Sequence, residues 1–192
     1  MIKKTIFHID VNSAFLSWEA AYRIHHLGGS LDLRLIPSAI GGSTEMRHGI
    51  ILAKSTPAKK YGITTGMTTV EAMQKCPGLY LAPPNYSLYQ WCSKAFLSIL
   101  REYTPDVEVY SIDEAFLDMT GVMHLYRNAV DVADEIRERI REELGFTVNV
   151  GISENKLLAK MDGELRNPDY THTLFSEELQ EKIWPMTVRD TF

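Results

Sequence analysis

Three carboxylates in this sequence stand beside apolar, strand-like segments, where a charge is costly to bury. Asp10 follows the apolar run 6–9, and Asp113 and Glu114 are adjacent within the β-rich run 109–118. A lone Asp after a strand more often caps a turn or lies exposed, but an adjacent acidic pair between strand formers favours a compensating cation. Mg²⁺ prefers oxygen ligands and phosphates. Two such ions ~3.5–4 Å apart would activate an attacking hydroxyl and stabilise a leaving pyrophosphate.

The elements that would position these carboxylates follow from hydrophobic periodicity and from turn residues. The pattern predicts helices over 14–24, 56–62, 69–75, 86–103, 129–144, 155–165 and 177–183. It predicts strands over 5–9, 34–38, 49–53, 79–82, 107–112, 114–118, 147–152 and 173–175, with a turn at 40–43 and a hairpin tip near Asp113. This order predicts an α+β fold: a ferredoxin-like, mixed, mainly antiparallel sheet with helices on one face, and a small α/β insertion.

Composition indicates an ordinary globular protein and excludes disordered and collagen-like chains. The 192 residues suffice for one domain with a small appendage, and 20 basic against 25 acidic residues give a net charge of −5. This acidic balance argues against a self-sufficient nucleic-acid binder. Cys76 and Cys92 form no Cys-x-x-Cys pair, and the six histidines are scattered, which favours structural or exposed roles.

The N-terminus carries a shorter apolar stretch than the ~7–15 residues of a signal peptide. No window approaches the ~18 apolar residues of a membrane span. We therefore expect a cytoplasmic location and no membrane partner.

Four segments in order carry a family resemblance that covers essentially the whole chain. They read HIDVNSAF at 8–15, AKKYGI at 58–63 followed by GM and VEA up to residue 72, SIDEAFLD at 111–118 and VGISENKLLAK at 150–160. Together they resemble the signature segments of Y-family (translesion) DNA polymerases, in the bacterial branch that includes DNA polymerase IV, UmuC-like and ImpB/MucB/SamB-type proteins. The resemblance implies template-directed addition of a dNTP to a primer 3′-OH, in DNA-damage bypass and repair.

The resemblance also implies roles for individual residues. Asp10, Asp113 and Glu114 match the catalytic, metal-binding carboxylates, and the backbone carbonyl of Val11 matches a further ligand. The implied cofactor is a pair of Mg²⁺ ions, with Mn²⁺ as an alternative. Phe15 matches the steric gate, an aromatic ring placed where a ribose 2′-OH would project. The implied nucleotide-binding residues are Ser13, Ala14, Phe15, Ser55, Thr56, Lys59, Arg166 and Asn167.

The chain departs from the family pattern at several of these segments. Asn12 stands where an Asp is common beside the first metal carboxylate, and Ala14 replaces a common aromatic. Thr56 stands where many members have a Tyr that contacts the phosphates. Near the last segment, Asp162 replaces a small residue and Asn167 replaces a Lys. None of these departures removes an implied metal-binding carboxylate.

The resemblance implies a palm over 1–30 and 80–186, fingers over 31–79 and the start of a thumb linker at 187–192. Family members continue into a thumb and a DNA-gripping domain. We therefore expect a fragment that is weakly active or inactive and binds DNA weakly, because phosphate contacts dominate nucleic-acid affinity. The implied partners are primer-template DNA, a dNTP and, through regions C-terminal to the fragment, a sliding clamp.

Two other functions fit a similar fold. A nucleotidyl cyclase would make a cyclic product from an NTP without a primer, although an aromatic gate at Phe15 argues against an enzyme that needs the ribose hydroxyls. A non-catalytic, polymerase-like scaffold in DNA repair would be marked by loss of the acidic trio, and all three carboxylates are present.

Overall fold

A computed structural model gives the fold of the chain and describes residues 4–42, 49–164 and 168–185. Backbone packing divides the chain into two compact units, Met1–Asn12 with Ser93–Phe192 and Ser13–Cys92. The fingers boundaries expected at residues 31 and 79 remain a prediction. No helix in the described ranges is long and apolar enough to cross a membrane.

The elements alternate between helices and short strands along the chain. The strands are β1 Ile6–Val11, β2 Ser38–Gly41, β3 Ile51–Lys54, β4 Tyr80–Ala82, β5 Val107–Val109, β6 Glu114–Asp118, β7 Val148–Ser153 and β8 Thr171–Thr173. The α-helices are α1 Ala14–His25, α2 Thr56–Lys59, α3 Thr69–Lys75, α4 Tyr86–Tyr103, α5 Ala129–Leu144, α6 Lys156–Glu164 and α7 Leu179–Lys182. Single 3₁₀ turns occur at Met123–Leu125 and Ser176–Glu178.

The first unit is built on a five-stranded sheet with the order β5-β6-β1-β7-β8. The three pairings from β5 to β7 are antiparallel, and β8 joins β7 in parallel. The central strands are rich in β-branched and aromatic residues, which fit a pleated, buried surface. The predicted α+β fold with a mixed, mainly antiparallel sheet is therefore confirmed.

Helix packing on this sheet depends on small and apolar side chains. Ala159 of α6 forms a buried cluster with Ile6 of β1 and Phe116 of β6. Since Ala159 has only a methyl side chain, α6 lies close against this face. Helix α5 packs against β7 and β8. Its ends are fixed by the Asn128 side chain, which accepts from the backbone N–H of Asp131, and by Gly145 in the left-handed conformation.

The second unit contains a three-stranded sheet with the order β3-β2-β4. Strand β2 pairs with β3 in antiparallel and with β4 in parallel fashion. Small and aliphatic side chains from its strands and short helices form the core: Ala39, Ile51, Ala58, Ile63, Ala72, Cys76 and Leu79. This arrangement agrees with the short strands and helices predicted for the insertion.

The prediction of a strand over 34–38 is wrong, because the observed strand β2 begins only at Ser38. The Asp32 carboxylate accepts from both the backbone N–H and the guanidinium of Arg34, which holds that residue in a turn. The turn predicted at 40–43 is also wrong at Ile40 and Gly41, which are the last two residues of β2 and flank a register shift. A Cβ on Gly41 would come within 3.0 Å of the Ile50 carbonyl oxygen, so the glycine serves close packing.

Other boundaries shift by a few residues. The strand predicted over 107–112 ends at Val109, because the N–H groups of Tyr110 and Ser111 both donate to the Glu114 carbonyl and close the hairpin. Strand β1 extends through Asp10 to Val11 instead of stopping at residue 9. The last strand lies at Thr171–Thr173, and the last predicted helix divides into a 3₁₀ turn and α7.

Candidate active site

Two of the predicted carboxylates lie directly opposite each other on adjacent strands of the first unit's sheet. Asp10 of β1 is the Cα partner of Glu114 of β6, and on its other side it pairs with Asn149 of β7. Side chains directly opposite in an antiparallel pair lie on the same face, and like charges in this arrangement destabilise the sheet. The register therefore concentrates negative charge at one point, which sequence spacing of over a hundred residues does not reveal.

The Glu114 carboxylate is anchored by two cationic or polar donors. Its Oε2 atom lies 2.8 Å from Nε2 of His8 and 2.6 Å from Nζ of Lys160. Burial raises the pKa of Glu114, but the bonds from Lys160 and His8 outweigh burial and hold the pKa below its usual range. Glu114 is therefore an ionised carboxylate in this setting.

Asp113 is held by its own hairpin. The Ser111 hydroxyl donates to Oδ1 of Asp113 at 2.6 Å, and the Ser111 oxygen accepts from the Asp113 backbone N–H at 3.3 Å. The Asp113 carbonyl accepts from the N–H of Val11 at 3.0 Å, which ties the hairpin to the end of β1. The sheet thus brings Asp10, Asp113 and Glu114 to neighbouring strand ends.

Asn12 follows β1 and is hydrogen-bonded to Thr147, the residue before β7. Its backbone N–H donates to the Thr147 carbonyl at 3.0 Å, and its side-chain amide donates to the Thr147 hydroxyl at 3.2 Å. An amide makes the second bond as a donor, which an ionised Asp cannot do. Asn12 is therefore held at the end of β1 by two hydrogen bonds to Thr147.

The donor chemistry of this strand-end site fits a hard divalent cation, since carboxylate and carbonyl oxygens are the ligands that Mg²⁺ takes. Asp10 and Glu114 face each other in the strand register, and the Lys160 amine pairs with Glu114. Within residues 4–42, 49–164 and 168–185, however, no three His, Cys, Asp or Glu side chains converge as a ready metal cage. The register and the hairpin bond to Val11 gather these oxygens at one edge of the sheet.

The predicted gate residue belongs to the second unit and is part of an aromatic cluster. The Phe15 ring stacks on Tyr89 with centroids 4.7 Å apart and an interplanar angle of 19°, and it lies 5.9 Å from Trp18. Trp18 and Tyr89 are completely buried, whereas Phe15 is half-buried. The ring is thus backed by two fixed aromatics and presents its remaining surface outward.

Ser13 and Ala14 begin the helix that carries Phe15. Ser13 adopts the left-handed conformation, with φ 49° and ψ 48°, and its carbonyl accepts from the N–H groups of Leu16 and Ser17. A non-glycine residue in this region is uncommon and strained. Ala14 is buried at the first turn of α1. The backbone immediately before Phe15 is therefore held in a fixed conformation by the hydrogen bonds that start the helix.

The three predicted nucleotide-binding residues of the fingers, Ser55, Thr56 and Lys59, differ in whether their side chains are free to contact a phosphate. The buried Ser55 hydroxyl caps α2 by accepting from the Ala58 N–H, accepts also from the Ser38 N–H and donates to the Ile36 carbonyl. Its one donor and both acceptor positions are used, which disfavours a side-chain contact with a phosphate. Thr56 and Lys59 are exposed at the start and end of α2.

A second lysine lies near Lys59. The amine of Lys54 donates to the Thr65 hydroxyl at 3.2 Å. Its pKa is lowered, first by burial and then by repulsion from Lys59. The two side chains give this part of the second unit a local positive charge within an acidic chain.

Two predicted nucleotide-binding residues, Arg166 and Asn167, lie outside the described residues, as does the side chain of Asp162. Conversely, sequence reasoning gave no site role to His8 or Lys160. Because side chains alternate along a strand, His8 lies on the same face of β1 as Asp10, which follows it by two residues. This spacing is the sequence signal that would have identified His8. Lys160 has no comparable signal, because its position depends on how α6 packs on the sheet.

Comparison with known proteins identifies the family. The sequence profile described as the impB/mucB/samB family matches residues 9–164, which is most of the chain. The chain belongs to the impB/mucB/samB family. The predicted resemblance to Y-family DNA polymerases is thereby confirmed. The matched range contains all three carboxylates of the strand-end site together with Phe15 and Lys59.

Relatives and solved structures agree with this assignment. The chain is 49% identical over 191 residues to a DNA polymerase IV of Clostridium acetobutylicum, covering all of this chain and 48% of the relative. It is 42% identical to a DNA polymerase IV of Acetivibrio thermocellus, covering 97% and 45%. The impB/mucB/samB chain therefore spans about half the length of the curated relatives that it matches.

Among solved structures, DinB from Sulfolobus solfataricus superposes with a TM-score of 0.84 at 24% identity, covering 97% of this chain and 53% of that one. A structure described as the insertion ternary complex of Dbh DNA polymerase superposes with a TM-score of 0.83 at 25% identity, with the same coverage. The fold of this impB/mucB/samB chain is thus that of the corresponding half of these polymerases.

Proposed function

We propose that this chain is the catalytic palm and fingers part of a translesion DNA polymerase, which adds a dNTP to a primer 3′-OH in the bypass of DNA damage. Family membership and relatives named DNA polymerase IV support the reaction class. Primer-template DNA and a dNTP are the proposed partners, in line with the solved ternary complex of Dbh DNA polymerase. A cytoplasmic location belongs to the same proposal.

The proposal depends most on the facing pair of Asp10 and Glu114 beside Asp113. These carboxylates, with the Val11 carbonyl, would hold the two divalent cations. When bound, such cations activate a hydroxyl nucleophile and stabilise the charge of a leaving pyrophosphate. The chain itself contributes fixed acidic oxygens, so catalysis is mainly a matter of positioning and charge.

The residues of the second unit would select and hold the nucleotide. The half-buried ring of Phe15, backed by Tyr89, would exclude a ribose 2′-OH. The exposed amine of Lys59 would pair with the triphosphate, because a cation next to phosphate oxygens forms strong charge-assisted bonds. Thr56 offers a hydroxyl donor at the start of the same helix.

Calorimetric titration with Mg²⁺ and dATP tests the carboxylate site. Wild-type protein should bind the nucleotide in a Mg²⁺-dependent manner, and Asp113→Asn should abolish that dependence because it removes a charged ligand without changing side-chain size. Glu142→Gln on the exposed face of α5 is the matched control and should bind like the wild type. Equal binding by wild type and Asp113→Asn would refute the proposed site.

Product analysis separates polymerisation from the cyclase alternative. Incubation with a primer-template and dNTPs should extend the primer, although weakly, since the chain spans about half of its relatives. Formation of a cyclic nucleotide from ATP without a primer would instead favour a cyclase. A gel shift at physiological salt should show only weak DNA binding, and nanomolar affinity would contradict that expectation.

A further inference from the structure

Both donors that hold Glu114 bind the same oxygen atom. His8 Nε2 and Lys160 Nζ each lie within hydrogen-bond distance of Oε2, at 2.8 and 2.6 Å. Among the described residues, the hydrogen bonds to the Glu114 side chain end on Oε2, and none ends on the other carboxylate oxygen, Oε1. One side of the Glu114 carboxylate is therefore anchored, and the other side is left open.

The His8 donor is fixed by the sheet. Its side chain is completely buried, and its ring lies 4.8 Å from the ring of Phe116, its Cα partner on β6. Glu114 precedes Phe116 by two residues on the same face, so His8 reaches it diagonally across the strand pair. On β7 the Cα partner of His8 is Gly151, which has no side chain to compete for this space.

The Lys160 donor is fixed by α6. Ala159 packs against Ile6 and Phe116, and the Asn155 side chain accepts from the Leu158 N–H at the start of the helix. These contacts fix the rotation of α6 about its axis. Lys160, the residue after Ala159, is thereby placed where its amine reaches Glu114. Its amine lies 5.2 Å from the centre of the Tyr110 ring, which supports the cation beside Glu114.

We propose that His8 and Lys160 are positioning residues that hold Oε2 of Glu114 so that Oε1 is the oxygen presented to a divalent cation. The inference rests on the proposed function, since it concerns the same metal site. Two donors on one oxygen restrict rotation of the carboxylate, whereas one donor would leave it free to turn. Partners that orient a metal ligand in this way typically change metal affinity by ~10–100-fold when removed.

Titration of Mn²⁺ followed by electron paramagnetic resonance, with dATP present and no primer, tests His8. The His8→Phe variant keeps a ring against Phe116 but loses the donor, and no charge on Glu114 is altered. We expect it to weaken Mn²⁺ binding by ~10–100-fold. The His8→Gln variant restores an N–H donor and should recover most of the affinity. Wild-type affinity in folded His8→Phe would overturn the role of His8.

Substitution of Lys160 gives an independent test, because the direction of the change in Mn²⁺ affinity distinguishes the two possible roles of its amine. If its amine acted only as a nearby positive charge, Lys160→Met would strengthen Mn²⁺ binding by removing repulsion. If it anchors Oε2, the same change should weaken binding. Lys160→Arg, which retains a charged donor, should stay close to the wild type. Stronger or unchanged Mn²⁺ binding in Lys160→Met would overturn the anchoring role, even where His8→Phe does not fold.

The Asp113→Asn variant separates failure of this inference from failure of the proposed function. Loss of Mn²⁺ binding in Asp113→Asn, with full binding in His8→Phe and Lys160→Met, would leave the metal site intact and refute only the anchoring. No Mn²⁺ site in the wild type would refute the proposed function and the anchoring with it. Thermal melting of each variant, followed by circular dichroism, establishes that it is folded.

Discussion

If Phe15 is the steric gate that we propose, replacing Tyr89 with Leu should loosen its ring and reduce discrimination between deoxynucleotides and ribonucleotides. Tyr89 is completely buried and stacks on Phe15 at 4.7 Å with nearly parallel rings. Trp18 contacts the same ring only at a tilt of 55° and at 5.9 Å. Without Tyr89, the ring of Phe15 would lose the flat surface on which it stacks, and under the proposed gate role a 2′-OH would displace it more easily.

The size of the effect follows from the energy of the stack. An aromatic pair contributes ~0.5–1.5 kcal/mol beyond the area that it buries. Because ~1.4 kcal/mol corresponds to a factor of ten, the ratio of dATP to ATP affinity should fall by about two- to twelvefold. The same change leaves a cavity, so we also expect lower stability, though less than the ~3–5 kcal/mol of an aromatic-to-Ala change.

Calorimetric titration with dATP and with ATP, each with Mg²⁺, measures this ratio without needing primer extension. Tyr89→Phe is the matched control, because it keeps the ring that stacks on Phe15 and removes only the hydroxyl. That variant should discriminate like the wild type. An unchanged ratio in folded Tyr89→Leu, or an equal loss in Tyr89→Phe, would refute the view that stacking holds the gate.

Three further predictions concern stability. Ser13→Val should lower the free energy of unfolding by ~1–2 kcal/mol, because a β-branched residue resists the left-handed φ of 49°, while Ser13→Gly should not; urea denaturation compares them. Ala159→Leu should overfill the contact between α6 and the sheet and cost ~1–3 kcal/mol, measured by thermal melting; an unchanged melting temperature would contradict the close packing. Burial raises the pKa of Asp32, but bonds from Arg34 outweigh burial and hold that pKa below its usual 3.8. The pair therefore stabilises the fold above that pH and loses this contribution as the pH falls below it, so the gap in unfolding free energy between wild type and Arg34→Gln should shrink in acid.

Local signals in the sequence predicted much of the fold. The long periodic helices α4 and α5 were predicted with their observed bounds, because their apolar stripes and, in α5, a terminal glycine are encoded within the segment itself. The strand at residues 34–38 could not be placed, because a turn made by Asp32 and a hydrogen bond from the Ser38 N–H to the distant Ser55 decide where β2 starts.

The candidate site divides in the same way. The sequence by itself determined which residue types are present: three carboxylates in strand-like surroundings and an aromatic residue five positions after Asp10. Only the tertiary structure decided that Asp10 faces Glu114, that His8 and Lys160 share one oxygen of Glu114, and that the Ser55 hydroxyl is already used. Residue type is a local property of the chain, but strand register, helix rotation and hydrogen-bond saturation are set by contacts between segments far apart in sequence.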